Sequence, residues 1–402
     1  MSTLKVNKLR DTAGSADAIT LDPNGGAVLA GVTTVTSVKV GAAVTISESG
    51  IEASGIGITC ANINGGSISG RRNIIINGDM RVAQRGTSST SVGYQTCDRW
   101  YLAYGGENEA PTQAKVDLSS SDTPYSLGFR NAYKITNGNQ TSTDVADYLV
   151  FYTALEAQDL ASSGWNYTST LSDITLSFWA KSSVAKTFDV KLTTNDGTAQ
   201  QFNHKFALSA NTWTKVVKTI PGNSNLTFDH DTGKGIEIQW DMYSGTNYTS
   251  GSTVDQWVTY NGSTSAPDQT DDWWTTNDAT FEITGIQLEL GSQATTFEYR
   301  SFAEELRLCQ RYCQPYLSYF EYTAGGTGNL GGPTVSFATP MRAAPSFTSD
   351  HESKSSNWTF NSFNTAAPNS DARGYTYFQI VFDTSDSNYG YYRRYGLATS
   401  EL

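Results

Sequence analysis

The sequence is poor in charged residues and has no long apolar run. Charged side chains make up 16% of its 402 residues, compared with about 25% in a typical soluble domain. No apolar stretch approaches the roughly 20 residues that a membrane helix needs, so we expect no membrane insertion. The N-terminus is basic but lacks an apolar segment, so we expect no signal peptide and synthesis in a cytoplasm.

Basic clusters are equally scarce. The net charge is −12 and the isoelectric point is near 4.7, and the densest basic sites are the pairs Arg71-Arg72 and Arg393-Arg394. A surface of this sign repels phosphate backbones, which argues against nucleic-acid binding.

Cysteine is limited to four residues, Cys60, Cys97, Cys309 and Cys313. They are too few and too scattered for a disulfide scaffold. Cys309 and Cys313 share a face of a predicted helix, but the sequence offers no further cysteine or histidine nearby. A zinc site needs four ligands, so we expect a packing role and no cofactor.

Catalytic patterns are also missing. The glycine run from Gly326 to Gly331 is followed by Pro333 and a predicted strand, without the helix that dinucleotide binding requires. The three histidines are scattered along the sequence. Asp271 and Asp272 are adjacent, which is more typical of a solvated loop than of the two spaced carboxylates of a glycosidase. We therefore expect no enzymatic activity.

Aromatic, β-branched and turn-forming residues replace the missing charge, which predicts an all-β protein. Residues 1–72 hold short apolar segments separated by glycines, each too short to bury a core alone. This N-terminal β-rich segment is expected to mediate trimerisation. The alternative is a low-complexity arm that orders only on its partner. The predicted strands are 18–21, 26–30, 35–40, 43–47 and 57–60.

Residues 73–300 are richer in aromatics and alternate between apolar and polar side chains, a pattern typical of an antiparallel jelly-roll sandwich. We also expect one short helix over 154–160. The predicted strands are 74–76, 130–135, 148–152, 174–180, 187–192, 201–206, 213–220, 235–240 and 280–290.

Between residues 241 and 278 the alternation disappears, while aromatic residues remain frequent. Long loops in compact domains are commonly functional. We therefore select Trp257, Trp273, Trp274 and Tyr248 as candidate ligand-binding residues. They could form a sugar-stacking platform or anchor a subunit interface, since aromatics are enriched in both settings.

A linker helix is predicted over 301–315, because Ser301 and Glu304 form a capping-box pattern and Pro315 follows. Phe302, Leu306, Cys309 and Cys313 would line its apolar stripe. Residues 316–402 return to β patterns and predict a small C-terminal β domain, with strands at 334–338, 358–360 and 375–382.

Three motifs carry a resemblance to a known family: residues 73–86 followed by 97–100, residues 284–298 and residues 304–312. They resemble virion structural and tail-fibre-like proteins of tailed bacteriophages, especially marine and cyanobacterial ones. Residues 338–345 also resemble a segment of such proteins, and Ser2–Asn7 is similar to their virion-anchoring ends.

The resemblance implies a central domain similar to carbohydrate-binding modules and a homotrimer whose N-terminus meets other tail or head proteins. Related modules carry structural calcium near an Asn-Gly-Asp-Phe-Glu strand. This chain has Asn77-Gly-Asp79-Met-Arg81, without the final acidic residue, so the sequence does not support a calcium site. The expected function is attachment of a virion, assembled in the host cytoplasm, to a host surface glycan. The alternative is a purely structural head fibre or tail adaptor.

Overall fold

The computed structural model describes residues 72–323, 328–356, 358–366, 375–384 and 389–402, together with six short N-terminal strands. The chain divides into two compact units, Met1–Ala61 and Asn62–Leu402. Both units are built from antiparallel strands, so the expected all-β class is confirmed.

The N-terminal unit contains two three-stranded antiparallel sheets, β1-β2-β3 and β4-β5-β6. The predicted strands at 18–21, 26–30, 35–40 and 43–47 are confirmed with narrower bounds, whereas 57–60 lies outside the described residues. The strands are β1 (Lys8–Leu9), β2 (Ile19–Leu21), β3 (Ala27–Leu29), β4 (Ser37–Val40), β5 (Val44–Ser47) and β6 (Gly50–Ala53).

The second unit begins with a sandwich of two six-stranded sheets. Sheet I has the order β15-β12-β18-β10-β9-β7, and sheet II has the order β17-β14-β13-β16-β11-β8. The chain crosses repeatedly between the sheets, as in a jelly roll. The strands are β7 (Ser88–Ser89), β8 (Tyr101–Gly105), β9 (Thr112–Asp117), β10 (Asn131–Thr136), β11 (Tyr148–Glu156), β12 (Asp173–Ser182), β13 (Lys186–Thr194), β14 (Gln200–Leu208), β15 (Thr214–Pro221), β16 (Lys234–Ser244), β17 (Trp257–Thr259) and β18 (Thr280–Leu290).

Alternation along the strands builds the core between the two sheets. At its centre the rings of Phe151 and Trp240, cross-strand neighbours on β11 and β16, stack with centroids 5.1 Å apart. Trp100 packs on both rings and is fully buried. The alternating pattern in the sequence therefore marks the strands of this sandwich, as expected.

One local prediction in the sandwich was wrong, and another was confirmed with shifted bounds. Ile74, Ile75 and Ile76 are buried but form no strand; the backbone turns at Asn77, which has a φ of 58°. The predicted helix over 154–160 starts at Ala157, because β11 continues pairing with β16 as far as Glu156. The sandwich helices are α1 (Thr123–Ser126), α2 (Ala157–Ala161) and the 3₁₀ turn η1 (Gly262–Thr264).

Helix α3 (Phe302–Gln310) starts at the predicted capping box, in which Ser301 and Glu304 exchange hydrogen bonds. It ends earlier than expected, and Cys313 is the first residue of a strand rather than part of the helix. Pro315 lies inside that strand, opposite Leu397. Phe302 is 56% exposed and Leu306 is half-buried, so the predicted stripe is fully buried only at Cys309 and Cys313.

The C-terminal β domain has two small sheets. β25 pairs with β19 on one side and with β21 and β22 on the other, while β24 lies between β20 and β23. The predicted strands at 334–338, 358–360 and 375–382 are confirmed with wider bounds. The strands are β19 (Cys313–Thr323), β20 (Gly328–Met341), β21 (Ser346–Phe347), β22 (His351–Lys354), β23 (Trp358–Ala366), β24 (Tyr375–Thr384) and β25 (Tyr389–Thr399).

Between these sheets lies a separate aromatic core, in which the Trp358 and Phe382 rings stack with centroids 4.5 Å apart. The glycine run was predicted to be a loop before a strand, but Gly328 to Gly331 already belong to β20 and pair with β24; residues 324–327 lie outside the described chain. Within the part of the chain that the structure describes, no helix has the length and apolarity to span a membrane.

Candidate functional site

The three tryptophans chosen from the 241–278 segment lie in the sandwich core. Trp273 and Trp274 are fully buried, and Trp257 is 8% exposed. Each indole nitrogen donates to a backbone carbonyl, those of Thr280, Ser142 and Pro221 respectively. Both alternatives for these three residues, a sugar platform and a subunit-interface anchor, are therefore wrong, because their ring faces are covered by the protein itself.

Tyr248 is the member of the candidate set that remains near the surface. It is half-buried, and its hydroxyl donates to the carbonyl of Ala146 at 3.3 Å. Its ring meets Tyr148 edge to face at 5.9 Å between centroids. The structure thus separates Tyr248 from the tryptophans and places it beside the outer face of sheet II.

That outer face carries a group of tyrosines at the β8–β11 edge. Tyr101 and Tyr152 are directly paired across the two strands, and their rings stack with centroids 4.8 Å apart at 16°. They point away from the core because their neighbours Leu102 and Phe151 are fully buried inside it. Tyr94 meets Tyr101 edge to face at 5.0 Å. We call Tyr94, Tyr101, Tyr148 and Tyr152 the tyrosine cluster.

Gly105 makes room for one member of this cluster. It pairs with Tyr148, and a Cβ atom at position 105 would lie 2.8 Å from the Tyr148 ring. A side chain there would displace the ring, so the glycine keeps the cluster close to the sheet.

A row of polar side chains on β16 flanks the tyrosine cluster. Gln239 pairs with Tyr152, and Glu237 lies one step along the same face. All three are half-buried. Glu237 forms an ion pair of 2.7 Å with Lys234, whose ammonium lies 5.8 Å from the centroid of the Tyr152 ring. The Tyr152 ring therefore lies beside a carboxylate, an amide and an ammonium group, all of which can form hydrogen bonds.

Further along this face two carboxylates are neighbours. Asp189 on β13 pairs with Asp241 on β16, and both are fully buried. Asp241 accepts from Gln239 and Ser244, whereas neither oxygen of Asp189 has a hydrogen-bond partner among the described residues. Burial, and for Asp189 also the charge of Asp241, raises the pKa of both carboxyls above the usual value of 3.8.

The segment after β16 binds the β14 end of the same face. Asn203 donates to the hydroxyl of Ser252 at 2.7 Å, and Gln201 donates to the carbonyl of Thr264 at 2.8 Å. Both side chains leave β14 on the outer face, since Phe202 between them is in the core. The tyrosine cluster lies at the opposite edge of sheet II, away from these contacts.

Residues of the motifs at 73–86, 97–100 and 304–312 connect the sandwich to helix α3. The side chain of Asn77 bonds the backbone of Val82 and Asp98, and its carbonyl accepts from the Trp100 indole. Its backbone N–H donates to Glu305 of α3 at 2.5 Å. These hydrogen bonds hold the first residues of the sandwich against helix α3, so the motifs stabilise the fold.

The same region does not suit a calcium ion. The carboxylate of Asp79 pairs with the guanidinium of Arg81, so a side-chain cation already neutralises it. No group of three or more acidic, histidine or cysteine side chains able to hold a metal occurs among the described residues. Cys309 packs against Ile76, Val82 and Tyr312, and Cys313 is buried as well.

No family model and no curated protein matches this sequence. Solved structures similar to it include a phage tailspike and carbohydrate-binding modules with β-sandwich folds. The enzymatically active domain of bacteriophage CBA120 tailspike protein 4 is 12% identical with a TM-score of 0.30, over 54% of this chain and 21% of that one. The chain thus spans about a fifth of the tailspike's length.

A family 4 carbohydrate-binding module is 13% identical, with a TM-score of 0.28, over 53% of this chain and 97% of the module. The family 11 module of Clostridium thermocellum, solved with a mixed-linked tetrasaccharide, is 12% identical with a TM-score of 0.25, over 49% and 91%. At these identities and scores the comparisons contribute nothing to the argument about function.

Sequence reasoning missed the tyrosine cluster because its members are spread over residues 94–152. The strand pattern of residues 148–152 was visible, and it places Phe151 and Tyr152 on opposite faces. The alternation of side chains along this strand could therefore have shown that Tyr152 points away from the core. The pairing of Tyr152 with Tyr101 appears only in the folded sheet.

Proposed function

We propose that this chain is a virion fibre or adhesin of a tailed bacteriophage that attaches to the host surface through glycans. The outer face of sheet II at its β8–β11 edge would be the glycan contact. The observation that carries the binding role is the stacked pair of Tyr101 and Tyr152 on an outward sheet face. The virion assignment rests on the three sequence motifs that resemble phage proteins.

The chemistry of the face supports a sugar ligand. Sugars present apolar C–H faces that pack on aromatic rings, and hydroxyls that need hydrogen-bond partners. The tyrosine cluster offers rings held by their neighbours, so little side-chain entropy is lost when a ligand binds. Gln239 and Glu237 supply an amide and a carboxylate beside those rings.

The remaining parts of the proposal concern assembly. The chain would act as a homotrimer joined partly through residues 1–72, with its N-terminus bound to other tail or head proteins. Strands of three or four residues, such as β2, β3 and β4, are too short to build a core alone, which favours stacking against other copies. Light scattering of the full-length protein should then give three times the chain mass, and a stable monomer at micromolar concentration would oppose trimerisation.

A glycan array probed with the full-length protein tests the binding role. Tyr152→Ala and Tyr101→Ala are expected to weaken binding to the recognised glycan by about tenfold or more, while the melting temperature stays close to that of the parent protein. Tyr260→Ala is the matched control, because Tyr260 is 42% exposed and follows the opposite edge strand.

Two results would contradict the proposed contact. If both variants bind as the parent does, the tyrosine cluster is not the glycan site. If the parent binds no glycan from the host surface, the chain fits the alternative of a purely structural virion component.

A further inference from the structure

The C-terminal β domain exposes one face of its β19–β25 ladder. Burial alternates along both strands: Tyr316, Ser318 and Phe320 are buried, while their neighbours on β19 are exposed. The exposed residues of the two strands come together on one surface. We call it the ladder face; it consists of Leu317, Tyr319, Glu321, Tyr389, Tyr391, Arg393 and Tyr395.

Its tyrosines are large, exposed and partly fixed. Tyr319 is 54% exposed and Tyr389 is 63% exposed. The hydroxyls of both donate to the carboxylate of Glu321, the one from Tyr389 at 2.5 Å. One carboxylate thus holds two rings on the sheet surface, which orders them before any ligand arrives.

Arg393 is the cation at the centre of the ladder face. It lies opposite Tyr319 on β19 and between Tyr391 and Tyr395 on its own strand. Its guanidinium carbon is 5.8 Å from the centroid of the Tyr395 ring. Among the described residues no carboxylate forms an ion pair with Arg393, whereas its neighbour Arg394, on the inner face, pairs with Glu352 at 3.5 Å.

We propose that the ladder face is a second carbohydrate-binding surface, selective for acidic polysaccharides. The tyrosine rings pack on the apolar faces of the sugars, and the unpaired guanidinium of Arg393 binds a carboxylate or another anionic substituent. On a protein of net charge −12, an exposed cation with no ion-pair partner among the described residues makes the ladder face a complementary surface for an anion.

The same charge argues against a second copy of the chain as the occupant. A two-fold contact centred on this face would bring Arg393 of one protomer towards the Arg393 of its partner, and like charges at a contact are unfavourable. The ladder face lies in a different domain from the tyrosine cluster, so the two sites can be tested separately.

Affinity electrophoresis of the full-length protein through polygalacturonate, alginate, hyaluronate and polysialate gels tests the idea at low salt, with methyl-esterified polygalacturonate as the neutral matched ligand. We expect retardation by at least one acidic polymer, weakened about tenfold or more by Arg393→Gln and by Tyr391→Ala. Arg307→Gln removes the same charge from the exposed surface of α3 and should leave retardation unchanged. Tyr152→Ala should also leave it unchanged.

Several outcomes would overturn the proposal. One is no retardation by any of the four acidic polymers, and another is equal effects of Arg393→Gln and Arg307→Gln. Binding of the esterified polymer as strong as that of polygalacturonate would show that the protein does not recognise the carboxylate. A change of sedimenting mass in Arg393→Gln would make the face a subunit interface instead. None of these results depends on the glycan array with the tyrosine-cluster variants.

Discussion

The guanidinium carbon of Arg99 lies 3.5 Å from the centroid of the Tyr312 ring. Arg99 belongs to the sandwich, has a φ of 75° and is 1% exposed, and Tyr312 precedes the first strand of the C-terminal domain. The same guanidinium donates to the carboxylate of Glu401 and to the carbonyl of Ala154. One buried cation therefore joins the sandwich, the segment after α3 and the chain end.

Arg99→Met should destabilise the second unit. The substitution leaves Glu401, which is 10% exposed, with Arg85 as its remaining cation and also removes the hydrogen bond to the carbonyl of Ala154, so we expect a loss of about 1–3 kcal/mol. Chemical denaturation measures the free energy of unfolding. Arg307→Met, on the exposed surface of α3, is the control and should change it little; similar losses for the two variants would contradict the role of the junction.

Two residues of the predicted helix stripe should behave differently on substitution by aspartate. Leu306 packs against the cluster of Ile76, Val82, Cys309 and Tyr312, so Leu306→Asp should cost several kcal/mol. Phe302 is 56% exposed, so Phe302→Asp should shift the melting temperature only slightly. Thermal unfolding of both variants is the measurement, and an unchanged value for Leu306→Asp would mean that the residue is not packed.

Trp273→Ala and Trp274→Ala should each lower the free energy of unfolding by about 3–5 kcal/mol, as expected for fully buried indoles. Equilibrium denaturation checks this, with Tyr260→Ala as an exposed control from the same segment. Variants that keep parental stability but lose attachment to host cells would restore the recognition role first considered for these residues.

The Asp189 carboxyl should make stability depend on pH. Burial and the charge of Asp241 raise its pKa in the folded protein well above the usual value of 3.8. A carboxyl with a raised pKa contributes stability below its unfolded pKa and loses that contribution as pH rises through the folded pKa.

Asp189→Asn removes the ionisable group at nearly constant volume. The variant should therefore melt at a higher temperature than the parent at pH 8, with little difference near pH 4. Differential scanning calorimetry at both pH values measures this. Asp268→Asn, which changes an exposed carboxylate, should alter neither value; an Asp189→Asn effect of equal size at pH 4 and pH 8 would show that ionisation is not its cause.

Local patterns in the sequence were enough to locate most strands and the start of α3. Alternation of apolar and polar residues marked β12, β16 and β18, because successive side chains of a strand point to opposite faces. The capping box at Ser301 set the first turn of α3, since both of its hydrogen bonds join residues three positions apart. These features depend on near neighbours, so the sequence by itself determined them.

The tertiary structure decided which side chains meet and which faces stay open. Trp273 and Trp274 could have lined a platform or a core, and only the fold of their segment onto the sandwich buries them. Cys313 continued a helical spacing, but eleven cross-strand pairs with β25 hold its segment in a strand. The stack of Tyr101 on Tyr152 and the exposure of Arg393 depend on partners distant in the sequence. Local periodicity fixes which residues share a face, but the packing of distant strands determines whether that face is buried.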